Sequence, residues 1–183
     1  GFTKFEPGPG IGGHCIPIDP YYLYWKAKQF NIDAKFIKLA GITNENTTKW
    51  VIDNFIKILK KEKLRLNQTK LLILGLSYKK NIEDTRESAS IKIIKKLIKK
   101  LKLIDISEPY LSLNNNFFSE NHKFLASYKI NNIHLSKSKI KNYDVVMILS
   151  DHDKFNYNLI KKESKILIDT RNRVFRENRF YKL

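Results

Sequence analysis

Apolar residues change their spacing near residue 66 of the 183-residue chain. Before that point Val51, Phe55, Ile58 and Leu59 fall on one stripe at helical spacing, which predicts a helix from about Thr47 to Lys61. Asp19-Pro20 reads as the start of an earlier helix ending near Phe30, with Asp suited to the cap and Pro to the first helical position. After residue 66 the apolar residues gather into short continuous runs. Leu71–Leu74, closed by Gly75, reads as a buried strand. Val145–Leu149 reads as a second, and Ile166–Ile168, closed by Asp169, as a third. Ile91, Ile94, Ile98 and Leu101 mark an amphipathic helix behind the first strand. Buried strands alternating with helices predict an α/β fold with a parallel sheet covered on both faces. The stretch from Leu103 to Asn142 is expected to add one or two short strands, and Asn114–Asn116 a loop. The expected division is a helical segment over 1–65 and an α/β domain over 66–183.

Composition sharpens this outline. Hydrophobic residues make up 42% of the chain, enough to build a core. No run of 18 or more apolar residues occurs, so no membrane span is expected. The single cysteine, Cys15, has no partner for an intramolecular disulfide and fits a reducing compartment, the cytoplasm. One Cys beside one His makes no metal site. The formal charge is +17, with 35 Lys and Arg against 18 Asp and Glu. Lys57, Lys60, Lys61 and Lys63 interleave with Ile and Leu at helical spacing, as do Lys92, Lys95, Lys96, Lys99, Lys100 and Lys102. They are read as wet helix faces rather than a nucleic-acid surface, and no base-reading motif accompanies them.

Five of the seven glycines lie within the first 13 residues, and four of the five prolines within the first 20. The centre of this segment is Pro7-Gly8-Pro9-Gly10-Ile11-Gly12-Gly13-His14-Cys15-Ile16-Pro17-Ile18-Asp19-Pro20. Such glycines let a backbone approach a ligand closely and present its N–H groups. The segment is no dinucleotide fingerprint, because no strand precedes it and Pro9 interrupts it. From the residues alone it is either a ligand loop or a tight turn without one. A thiol a few residues before a helix feels the positive end of the dipole, which makes Cys15 a candidate nucleophile. A small buried hydrophobe is the alternative.

Gly8 to Leu23 resembles the cysteine motif of the UDP-glucose/GDP-mannose dehydrogenase family. The versions His14-Cys15-Ile16-Pro17 and Asp19-Pro20-Tyr21-Tyr22-Leu23 are similar to the branch acting on UDP-N-acetyl-hexosamines, UDP-N-acetylglucosamine 6-dehydrogenase among them. Gly75-Leu76-Ser77-Tyr78-Lys79-Lys80-Asn81-Ile82-Glu83-Asp84-Thr85-Arg86-Glu87-Ser88 is similar to the signature opening the family's C-terminal domain, and Ile168–Asn172 is a weaker third block. The resemblance implies a helical central-domain segment followed by a Rossmann-like UDP-binding domain. It implies oxidation of a sugar C6 alcohol to a carboxylate with NAD as cofactor. Cys15 would then hold the aldehyde as a thiohemiacetal and thioester, and Asp19 would handle protons or position water. Gly8, Gly10, Ile11, Gly12 and Gly13 would lie along the sugar nucleotide, with Tyr78 and Lys79 also on the substrate. His14 and Arg86 would face the NAD, and Arg171 would approach the substrate.

Against the family pattern, Asn81 stands where Asp is usual, Ser90 where Pro is common, and Glu108-Pro109-Tyr110 replaces Asp-Pro-Tyr. The resemblance also implies an N-terminal NAD-binding domain and a homodimer on the central helices. That domain's glycine fingerprint is not in these residues, and the chain opens on Gly1 without an initiator Met. The expectation is an incomplete chain, inactive alone. A non-catalytic UDP-sugar-binding module is the competing reading.

Overall fold

A computed structural model describes residues 6–111, 119–174 and 180–183. Helix α1 spans Asp19–Gln29 and α2 spans Lys35–Lys61. A short 3-10 turn at Leu66–Gln68 leads into strand β1, Lys70–Leu74. Then follow α3 (Ala89–Leu97), β2 (Leu103–Ser107), α4 (Ser119–Ser127), α5 (Lys137–Lys141), β3 (Val145–Ile148), α6 (Tyr157–Glu163), β4 (Leu167–Asp169) and β5 (Phe180–Lys182). The strands form one sheet in the order β2-β1-β3-β4-β5, with every neighbouring pair parallel.

Strand periodicity explains why the runs are continuously apolar. Leu71 and Ile73 of β1, with Val145 and Met147 of β3, face a core shared with α2 and α3. Leu72, Leu74, Val146 and Ile148 face the opposite core, with Ile140 of α5 and Ile160 of α6. A strand covered on both faces has no polar side to show. The chain leaves β1 through α3 to β2 on one side, then crosses to β3 on the other. The order therefore reverses between β1 and β3, and the loops after their C-terminal ends form the crevice where open α/β sheets bind ligands.

Helix α2 starts twelve residues before the expected Thr47. Its buried residues, from Thr48 to Leu59, all lie in its C-terminal half and pack on the sheet. The N-terminal half instead exposes Phe36, Leu39 and Ile42, so it carries no buried stripe to read. It holds α1 by a close approach, with the Tyr21 hydroxyl lying where a Cβ on Gly41 would sit.

Other expectations shift as well. Asp19 is not the cap of α1; Ile18 holds that position in a helical conformation, and no side chain caps the helix. The reason is a turn already under way, in which the Cys15 carbonyl accepts from the N–H groups of Ile18 and Asp19 at 3.0 and 2.8 Å. Asp19 sits instead in the first helical turn, where a carboxylate suits the macrodipole. Among the described residues between Leu103 and Asn142, one strand, β2, is joined by a single bridge from Ile106 to Asn132 and by two short helices. Strand β5 was not legible, being three residues long at the sheet edge. The loop expected at Asn114–Asn116 lies outside the described residues. No helix among the described residues is long and apolar enough to cross a membrane.

Candidate functional site

The glycine loop crosses the C-terminal edge of the sheet, tied down on both sides. Toward α2, the Ile11 N–H donates to Asn44 Oδ1 at 2.7 Å and the Thr48 hydroxyl donates to the Pro9 carbonyl at 3.3 Å. Toward the loop after β1, the Gly13 N–H donates to the Arg86 carbonyl at 2.9 Å. Glycine is required along this path. A Cβ on Gly12 would lie 2.6 Å from the Tyr78 Cβ, and one on Gly13 3.0 Å from the Tyr78 ring. Gly13 also has φ of +101°, a region that L side chains avoid. Gly10 lies over Ala89 and Thr48, and Gly8 lies under the Arg171 guanidinium.

Two residues beyond this packed stretch the backbone turns outward. His14, Cys15 and Asp19 are all exposed. The thiol is thus presented at the surface rather than packed among apolar groups.

Arg86, whose carbonyl holds the Gly13 N–H, belongs to the same edge of the site. Its Nε donates to both carboxylate oxygens of Asp84, at 3.0 and 2.9 Å, and Nη2 donates to Oδ2 at 2.5 Å. These bonds push the guanidinium further up from its already high range, with smaller electrostatic contributions from Tyr78 and Cys15. Arg86 and the thiol are therefore within electrostatic reach of each other. Partial burial pushes the Asp84 carboxyl up, but the Arg86 bonds and charge outweigh it and hold the group below its usual value, helped by His14.

Lys79 faces elsewhere. It lines a cleft of about 580 Å³ with Lys80, Arg171, Arg173 and the buried Asp151. These residues follow β1, β3 and β4, so the cations converge on the crevice at the point where strand order reverses. Asp151 accepts from Arg171 Nε at 3.1 Å. Arg171 also donates to the Pro7 carbonyl at 3.4 Å, so it joins this cleft to the glycine loop. A second, more apolar groove of about 730 Å³ runs along the other flank of the loop, between Ile11 and Phe36, Leu39 and Asn44 of α2. The structure thus brings Gly12, Gly13, Tyr78 and Arg86 into contact, places Cys15 near Arg86, and sets Lys79 in the adjoining cationic cleft. Among the described residues no group of three or more His, Cys, Asp or Glu side chains is arranged to hold a metal ion.

Residues 72–176 match the UDP-binding domain of the UDP-glucose/GDP-mannose dehydrogenase family, and residues 1–46 match its central domain. The chain belongs to that family. UDP-N-acetyl-D-mannosamine dehydrogenase of Methanococcus maripaludis is 34% identical over 177 residues, which is 91% of this chain and 36% of the relative. UDP-N-acetyl-D-glucosamine 6-dehydrogenase of Salmonella typhi is 30% identical over 154 residues, 84% of this chain and 34% of the relative. Among solved structures, the UDP-D-ManNAc dehydrogenase of Pyrococcus horikoshii superposes with a TM-score of 0.77 at 26% identity, covering 99% of this chain and 40% of that one. The chain therefore spans about a third of the length of the curated relatives it matches.

Sequence reading of this dehydrogenase-family chain missed the residues that hold the loop. Asn44 and Thr48 sit in a helix whose N-terminal half has no apolar stripe, and nothing local marks them as tethers. Asp84 was visible only as a neighbour of Arg86. The buried His152 and Glu108 pair, 2.9 Å apart, joins residues 44 positions distant, beyond any spacing argument.

Proposed function

We propose that this chain is the catalytic-cysteine and substrate-binding part of an NAD-dependent UDP-sugar 6-dehydrogenase, acting on a UDP-N-acetyl-hexosamine. The observation that carries the reading is the exposed Cys15 at the end of a glycine loop that packs on Tyr78 and is joined by Arg171 to a cationic cleft. A diphosphate suits that cleft, where Lys79, Lys80, Arg171 and Arg173 outnumber Glu6 and Asp151. The N–H groups and open surface of Gly8, Gly10, Ile11, Gly12 and Gly13 suit a sugar lying along the loop.

The residues here fit one edge of an NAD site. His14, adjacent to Cys15 in the chain, and Arg86 are both exposed, whereas β1 runs into Gly75-Leu76-Ser77 and carries no glycine fingerprint. NAD, when bound, supplies the hydride-accepting chemistry for both oxidations of the C6 carbon. Cys15 does the covalent work between them. Its sulfur forms a bond to the aldehyde carbon, the carbonyl oxygen takes up a proton, and the reactive aldehyde stays tethered as a thiohemiacetal. At the thioester stage, water adds to the carbonyl carbon and the C–S bond breaks, releasing the carboxylate and returning the thiol. Asp19, exposed in the first turn of α1, takes a proton from that water in this reading. An N-terminal NAD-binding domain completes the enzyme, and the exposed apolar face of α1 and α2 is read as a homodimer surface.

The test supplies the N-terminal domain of a mannosamine dehydrogenase relative, joined to this chain, and follows NADH and uronate from UDP-N-acetyl-hexosamines. Cys15→Ser is expected to abolish uronate while UDP binding persists. Unimpaired uronate formation by that variant defeats the proposal. UDP binding by the parent with no NADH formed in the joined protein favours a non-catalytic binding module.

A further inference from the structure

The loop that carries Tyr78 and Lys79 is held at both ends by one polar network. At its start, Glu108 Oε2 accepts from the N–H groups of Leu76 and Ser77 at 2.7 and 3.2 Å. The same oxygen lies 2.9 Å from His152 Nε2, and the other carboxylate oxygen accepts from the Tyr110 N–H at 3.0 Å. At its end, the Asn81 N–H donates to His152 Nδ1 at 2.9 Å. An Nδ1 that accepts from an amide carries no proton, so the ring is the Nε2–H tautomer and donates to Glu108. The Ser77 hydroxyl donates to the Lys79 carbonyl at 2.7 Å and folds the middle of the loop onto its start. The side chains of His152 and Glu108 are 0% and 1% exposed.

Asn81 completes the clasp. It sits at φ +62°, a left-handed position Asn tolerates. Its Nδ2 donates to Asp153 Oδ2 at 2.6 Å, and its Oδ1 accepts from the Asp153 N–H at 2.9 Å and the Tyr110 hydroxyl at 3.3 Å. Asp153 is further held by Arg173 at 2.8 Å, a residue of the cationic cleft. A buried carboxylate is costly to take out of water even when a neutral imidazole and amide N–H groups satisfy it, so stability is a poor reason for it. What it adds is a single backbone path for the segment it satisfies. That segment, Tyr78 to Lys80, carries one residue packed on the glycine loop and two lining the cleft.

We propose that Glu108, His152 and Asn81 are positioning residues of the nucleotide-sugar site, clamping both ends of the Leu76–Asn81 loop so that Tyr78 and Lys79 meet the ligand in one geometry. This rests on the functional reading above. Asn81→Asp isolates the effect, because it is isosteric, exposed and compatible with a left-handed backbone. It sets a carboxylate oxygen against Asp153 Oδ2 where an N–H donor stood. Calorimetry of the 183-residue chain with UDP is expected to show binding about tenfold weaker in Asn81→Asp, the loss of one charge-assisted hydrogen bond. Its melting temperature should be close to that of the parent. The exchange variant Asn81→Asp/Asp153→Asn swaps donor and acceptor and is expected to restore most of the affinity.

Equal UDP affinity in Asn81→Asp and the parent overturns the proposal. So does a lowered melting temperature with unchanged affinity, or an exchange variant no better than the single one. A parent chain that binds no UDP overturns the functional reading itself, a result distinct from these.

Discussion

At the scale of single residues, the site depends on one glycine and one carboxylate. Gly13 at φ +101° faces the Tyr78 ring. Gly13→Ala adds both strain and a close contact, and is expected to destabilise the chain by about 1–3 kcal/mol in urea titration and to weaken UDP binding. Asp84 makes a pH prediction. Its carboxyl titrates lower in the folded chain than in the unfolded one. The stability it contributes is present above its unfolded value and lost as pH falls through the folded one. Thermal melts below about pH 4 are expected to show the parent losing stability more steeply than Asp84→Asn. The exposed thiol of Cys15, the chain's single cysteine, is expected to take up one equivalent of iodoacetamide in the folded state.

Among the elements, α2 does two jobs that its two halves divide. The C-terminal half is a core helix, with Phe55 fully buried against the sheet. Phe55→Ala is expected to cost about 3–5 kcal/mol by denaturant unfolding. Phe36, near the other end, is 88% exposed, and Phe36→Ala is expected to change the stability of this chain by less than about 0.5 kcal/mol. The glycine loop is served instead by Asn44 of the N-terminal half and by Thr48 at the middle of the helix. Helix α3 shows a related economy at its start. Ser88 accepts from the Ser90 N–H at 3.1 Å and donates to the Leu76 carbonyl at 2.5 Å. Ser90 thus supplies the backbone donor, and the cap fastens the helix to the loop after β1.

On the scale of the whole molecule, the lysines of α3 and the turn after it lie on the wet face. Lys95, Lys96, Lys99, Lys100 and Lys102 are exposed, and Lys92 pairs with Glu87 at 2.8 Å. The cations that converge are a different set, in the cleft after β1 and β4. Among the described residues the exposed large apolar side chains gather on α1 and α2, where Tyr22, Leu23, Trp25, Phe36 and Leu39 are exposed and α1 buries no residue at all. Both tryptophans, Trp25 and Trp50, are more than half exposed. If this face is the proposed homodimer surface, dilution is expected to shift the tryptophan emission to longer wavelength as sedimentation shows monomer replacing dimer. Concentration-independent emission and a monomer throughout would remove that assignment.

The parallel sheet, its two covered faces and the main strands were readable from the sequence, because strand and helix periods are local properties of neighbouring residues. The two motifs around Cys15 and Tyr78 were readable for the same reason, each being a contiguous run. Pairing them was not, since Gly12 and Tyr78 meet only after α2 and β1 have folded between them. Arg171 over Gly8, Asn44 under Ile11, and Glu108 with His152 beneath the Tyr78 loop are contacts between residues far apart in the chain. No spacing rule reaches them, and the tertiary structure alone decided which polar groups were buried together and therefore had to satisfy one another.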